Sequence, residues 1–134
     1  MFGGNEVEFM KARSTRLIYW LCTGLMATLV LMAAIPDLLI LPGAVIFLAH
    51  LGYPKYLLPF LGIAKTLGIA VILYPSSPRL LKEWAYAGLV FDLVGAFYSH
   101  ICVSDPLKVS GFSLVALFLV ASSYIFHRKT PEMN

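Results

Sequence analysis

Two charged residues stand near the middle of two long apolar stretches, Lys65 in residues 56–74 and Asp92 in residues 84–103. An ammonium and a carboxylate facing one another in apolar surroundings could relay a proton, anchor the polar head of a lipophilic ligand or hold a substrate carboxylate. They could equally form a structural ion pair that fixes helix register. A short polar turn, residues 75–83, joins the two stretches. Lys65 lies nine residues from the turn side of its stretch, and Asp92 eight from the turn side of the other. At a helical rise of ~1.5 Å per residue, both sit ~12–14 Å from one boundary, close to the midplane of a ~30 Å hydrocarbon core. A charge at that depth is disfavoured by roughly 2.5–3.5 kcal/mol and turns inward to a partner. Here the partner is the opposite charge at matching depth.

Further candidate ligand-binding residues lie towards the other boundary. His100 follows Ser99 about two turns beyond Asp92, where an imidazole could hydrogen-bond a quinone carbonyl or shuttle protons; the alternative is a partly solvated interfacial histidine. His50 and Tyr53 fall on the same side and, with Asp105, could line a shared vestibule. Two histidines and a carboxylate can bind a metal, but no spacing here enforces it, and no metal is expected. Trp84, Tyr86 and Tyr74 flank the polar turn in the manner of an interfacial aromatic belt. There is no Gly-rich phosphate loop, no Gly-x-Ser-x-Gly elbow and no His-Glu-x-x-His, so soluble hydrolase or nucleotide chemistry is not supported.

Those residues require long apolar helices to position them, and the composition supplies them. Of 134 residues, 60% are hydrophobic and 13% charged, and the mean hydropathy is +0.84. A soluble domain could not cover so much apolar surface with so few charges. The apolar residues come in blocks of spanning length, which predicts one all-α integral membrane domain over residues 1–134. The spans are expected at about 17–35, 56–74, 84–103 and 109–126, as a four-helix transmembrane bundle. Gly24, Ala27 and Thr28 in the first span, and Ala85, Gly88, Gly95, Ala96 and Ser99 in the third, have the small-residue spacing of packed helix interfaces.

The polar start followed by an apolar run could be a secretory signal, but the run is too long and Pro36-Asp37 follows it in place of a cleavage site. It reads as a retained span. Residues 38–49 are apolar but too short to cross, and Pro42-Gly43 interrupts them, which suits a re-entrant or interfacial segment after the first helix. Cys22 and Cys102 fall near opposite membrane faces and are expected to be unlinked. The net charge of +3 is scattered over helix ends rather than clustered, which argues against nucleic acid as a partner. With four spans, Lys11, Arg13, Arg16, Arg79, Lys82, Arg128 and Lys129 share one side and Lys55 and Lys108 the other. That asymmetry predicts both termini in the cytoplasm.

Several stretches carry a family resemblance: His50-Leu-Gly-Tyr-Pro54, Gly62-Ile-Ala-Lys-Thr-Leu-Gly68, Lys82-Glu-Trp-Ala-Tyr-Ala-Gly88, Gly95-Ala-Phe-Tyr-Ser-His100 and Ser123-Tyr124. Together they resemble the DoxX-like family, relatives of the DoxX and DoxD membrane proteins, over about residues 15–127. Residues 81–100 are the most specific part. The resemblance implies a small four-helix protein of the bacterial inner membrane. Some relatives are associated, as small membrane subunits, with quinone-linked oxidation of sulfur compounds. It supplies no catalytic residues, so the candidate site rests on the physical argument alone. Three functions fit this sequence: a holder of a lipophilic ligand such as a quinone, in support of redox chemistry in a membrane partner; a non-catalytic accessory or scaffold subunit; and a small proton-linked transporter, as a homo-oligomer.

Overall fold

The computed structural model describes residues 3–129; the two ends of the expected domain, residues 1–2 and 130–134, lie outside the described residues. Five helices follow one another: α1 (Gly4–Leu38), α2 (Pro42–His50), α3 (Leu57–Leu73), α4 (Arg79–Cys102) and α5 (Leu107–Lys129). No strand occurs among the described residues. α1, α4 and α5 are long and apolar enough to cross a membrane, while α3 is apolar but shorter, at 17 residues. The segment after the first helix is a helix of nine residues, far too short to cross at ~1.5 Å per residue.

Two helices extend beyond the expected spans. Residues 79–83, assigned to the polar turn, open α4 instead. Pro78, at φ −55°, is the N-cap, and its fixed ring presets the helical first turn. The first helix, expected to stop before Pro36-Asp37, runs on to Leu38 with Pro36 inside it. Pro36 has no N–H to give the carbonyl of Met32, four residues back. So near the helix end, the loss of one bond does not break the run, and Asp37 becomes helical.

Three helices stop in the same way. After α1 the Leu41 N–H donates to the Pro36 carbonyl and the Ile40 N–H to that of Asp37, with Ile40 at φ 52°. After α2 the Tyr53 N–H reaches Leu48 and the Gly52 N–H reaches Ala49, with Gly52 at φ 88°. After α4 the Asp105 N–H reaches His100 and the Ser104 N–H reaches Ile101, with Ser104 at φ 59°. Each is a Schellman turn, whose left-handed residue is most often glycine. Ile40 is the costly one, since a β-branched side chain in that region is strained.

Packing closes around these helices. α1 lies against α3 and α5, α4 lies against the same two, and α2 rests on α1 and α3. The closest approach is at Gly62, where a Cβ would come within 2.8 Å of the Leu38 backbone nitrogen and 3.1 Å of the Ala34 carbonyl oxygen. Only glycine lets α3 come that close to the end of α1. Met26, Val30, Ile69, Ile72, Leu89, Leu93 and Val120 form the buried apolar core between the helices. The small-residue stripes make the expected seams only in part, at Ala27 in the core and Ala85 against it. A Cβ added at Gly24, Gly88 or Gly95 would meet nothing within 4 Å, and Thr28 is exposed.

Candidate functional site

Lys65 stands one helical turn after Gly62, so the close approach of α3 to α1 carries its ammonium to the end of α1. There it donates a hydrogen bond to Asp37 Oδ2 at 3.2 Å. Asp92 Oδ2, on α4, lies 3.8 Å from the same nitrogen. The expected pair is therefore a set of three, and Asp37 is the nearer carboxylate. The side chains are 15%, 14% and 25% exposed for Lys65, Asp37 and Asp92, largely withdrawn but not sealed.

All three line one partly open cavity of about 580 Å³ between α1–α5. Tyr53, Ser99 and His100 line it too, about two turns along α4 from Asp92. Tyr53 and Ser99 are joined through their hydroxyls at 2.7 Å, and the Ser99 hydroxyl also donates to the Gly95 carbonyl at 2.8 Å. The stripe of Asp92, Gly95, Ala96 and Ser99 thus forms a wall of this cavity, which is why its small residues have no helix packed on them. Apolar side chains make up most of the remaining lining, among them Leu29, Leu58, Leu61, Phe91 and Phe112.

His50 is the one expected ligand residue that does not line the cavity; it belongs to a clasp at its rim. The Schellman turn after α4 folds Asp105 back over His100. There, His100 Nδ1–H donates to Asp105 Oδ2 at 2.6 Å, and His50 Nε2–H, from the end of α2, donates to Asp105 Oδ1 at 2.6 Å. Hydrogen bonds from His100, and then from His50, hold the Asp105 carboxyl below its ordinary range. His100 is buried and stacks obliquely on Phe47 of α2, ring centres 5.5 Å apart. α2 is therefore tied to the bundle through Asp105, Ser99 and His100, and its Ala44, Phe47 and Leu48 face the cavity.

With that geometry in place, a family model described as DoxX-like family matches residues 21–123. The chain belongs to the DoxX-like family. The matched region contains every residue that lines the cavity. Comparison with curated proteins and with solved structures gives no match.

In this DoxX-like chain a second polar cluster occupies the far side of the apolar core. Ser123 joins the Thr23 hydroxyl at 2.6 Å and the Tyr86 hydroxyl at 2.7 Å, linking α1, α4 and α5. His127 is fully buried among Tyr19, Tyr86 and Tyr124. The Tyr19 hydroxyl and both His127 nitrogens have no hydrogen-bond partner among the described residues. The Tyr124 hydroxyl and Arg128 both donate to Glu83, at 2.8 and 3.3 Å. Cys22 and Cys102 are free thiols. The sequence reading missed Asp37, because Pro36-Asp37 looked like the end of a span. A carboxylate directly after one apolar run, with a lysine inside the next long one, was the available signal. It also missed Ser113, a hydroxyl on a span with no charge.

Proposed function

We propose that this multi-pass membrane protein holds a lipophilic ligand with a polar head, such as a quinone, in support of redox chemistry carried out by a membrane partner. The observation that carries this reading is the cavity of about 580 Å³, a size typical of small-molecule sites. It has one polar set at Lys65, Asp37 and Asp92, and a second at Tyr53, Ser99 and His100. A mainly apolar chamber with a few convergent polar groups at two levels suits an elongated ligand with a polar head and an apolar body.

The transporter reading is less well supported. Met26, Ile69, Leu89 and Val120 are buried between the cavity and the Tyr19–His127 cluster, an apolar layer with no ionisable side chain. A path for protons would have to cross it, so the arrangement favours holding over conducting. In our reading α3 is also a span, at the short end of the ~17–25 residue range, which makes four spans with α1, α4 and α5. The Lys and Arg asymmetry then supports both termini in the cytoplasm of a bacterium, with the chain in its inner membrane.

Mass spectrometry of lipids extracted from gently purified protein tests the ligand reading. A quinone-class or other non-bilayer lipid should copurify with wild type and be depleted in Ala96→Phe, which fills the cavity wall. Extracts of equal composition from the two would contradict it.

A further inference from the structure

The geometry points to a lipophilic amine, protonated at its nitrogen, as the ligand this cavity favours; the inference rests on the ligand-holding reading and names its chemical class. One ammonium, Lys65, faces two carboxylates, Asp37 at 3.2 Å and Asp92 at 3.8 Å. As ionised, the set is one positive charge short. In a medium of low dielectric, a carboxylate without a full partner is costly, and here the one more loosely held by Lys65 is Asp92.

Two further polar groups of the cavity can accept hydrogen bonds. His100 is 3% exposed and donates Nδ1–H to Asp105, which leaves Nε2 as a lone-pair acceptor. That nitrogen has no partner among the described residues. Ser113, 4% exposed, lines the same cavity, and its hydroxyl has no partner there either. The imidazole nitrogen, a lone-pair acceptor on the cavity wall, and the Ser113 hydroxyl, which can accept as well as donate, can each take a hydrogen bond from a ligand that donates. Phe47, Phe91 and Phe112 add aromatic walls, which attract cations through their ring faces. The amine nitrogen would sit against Asp92 and supply the missing positive charge, with its apolar body among the phenylalanines.

Three ligands of nearly one shape test this on the purified full chain in detergent: 1-adamantylamine, 1-adamantanol and 1-adamantanecarboxylate. Thermal unfolding and equilibrium dialysis are the readouts. The amine should bind saturably and raise the unfolding temperature. The alcohol should bind about tenfold more weakly, the size expected when a hydrogen bond to a charged group becomes a neutral one, and the carboxylate should not bind. Asp92→Asn should bring the amine down to the alcohol. The three-ligand comparison needs no variant, so poor folding of Asp92→Asn would not blunt it. Equal binding of amine and alcohol would overturn the inference and mean that a proton on one carboxylate already balances the set. Tightest binding by the carboxylate would overturn it as well. If the alcohol or a short-chain quinone binds and the amine does not, the cavity still holds lipophilic ligands and only the amine falls. If none binds, both readings fall.

Discussion

Lys65 is shared between two carboxylates, and this changes what its removal should do. From the sequence alone, Lys65 and Asp92 form a pair, and deleting both would restore much of what either single change loses. The structure predicts otherwise. Lys65→Met strands Asp37 and Asp92, and stranding a buried charge costs about 3–5 kcal/mol. Asp37→Asn should lower thermal stability, because Asp37 is the closer partner by distance, whereas Asp92→Asn, which removes the excess carboxylate, should leave it unchanged or higher. The Lys65→Met, Asp92→Leu double variant still leaves Asp37 uncompensated, so it should remain well below wild type. Adding Asp37→Asn should recover most of the loss. Thermal melts in detergent across this series decide it, and full recovery in the double variant would show that Asp37 does not interact with Lys65.

Asp105 gives a second test at this scale. Its carboxyl is held below the ordinary value of 3.8 by His100 and His50. A depressed carboxylate pKa adds stability that is fully present above the ordinary value and lost as pH falls through the lower, folded one. Asp105→Asn should therefore expose α2 amides to faster hydrogen exchange at neutral pH. The gap from wild type should narrow only once the pH drops below about 3.8. A gap independent of pH down to that point and beyond would mean that the clasp does not depend on the Asp105 charge.

The elements are set by how three helices end and by one glycine. Schellman turns place Asp37 in the last turn of α1, Tyr53 beyond α2, and Asp105 over the end of α4. At Gly52 the required left-handed residue is legible, since glycine adopts it freely. At Ile40 and Ser104 it is not, because nothing in those side chains announces a positive φ. Ile40→Gly should therefore raise stability by about 1 kcal/mol, the cost of a left-handed conformation in a non-glycine residue. Gly62→Ala should lower it by about 1–3 kcal/mol through overpacking against Leu38. A loss of stability in Ile40→Gly, or a gain in Gly62→Ala, would contradict the helix ends described.

The same features explain how far the sequence could be read. Long apolar helices were legible because runs such as 109–126 carry no charge, and Lys65 and Asp92 stood out because single charges interrupt such runs. His100, Ser99 and Tyr53 were legible as candidate polar groups of one site. Their partners were not. Tyr53–Ser99 and His50–Asp105 join residues far apart in sequence, and only packing chooses them. The stripe of Gly88, Gly95 and Ser99 carried the spacing of a tight interface, yet open space serves small residues equally well. Asp37 was hidden by the reading of Pro36 as a stop, although a proline in a last turn forfeits only one hydrogen bond.

At the scale of the whole molecule, polar groups fall into two sets separated by apolar core. The set around Lys65 and His100 lines a chamber roofed by α2, and the set around Ser123 ties α1, α4 and α5 together. The second set reads as structural. His127 makes no hydrogen bond among the described residues, so His127→Phe should leave stability unchanged or slightly higher, whereas Ser123→Ala should lower it by removing two partners at once. The first set is the one we propose to be functional. Binding of a short-chain quinone to the full chain in detergent, compared between wild type and Ala96→Phe of matched thermal stability, tests that claim most directly. The account predicts saturable uptake of one molecule per chain by wild type, lost when the cavity wall is filled. Equal uptake by the two proteins, or uptake that never saturates, would contradict it.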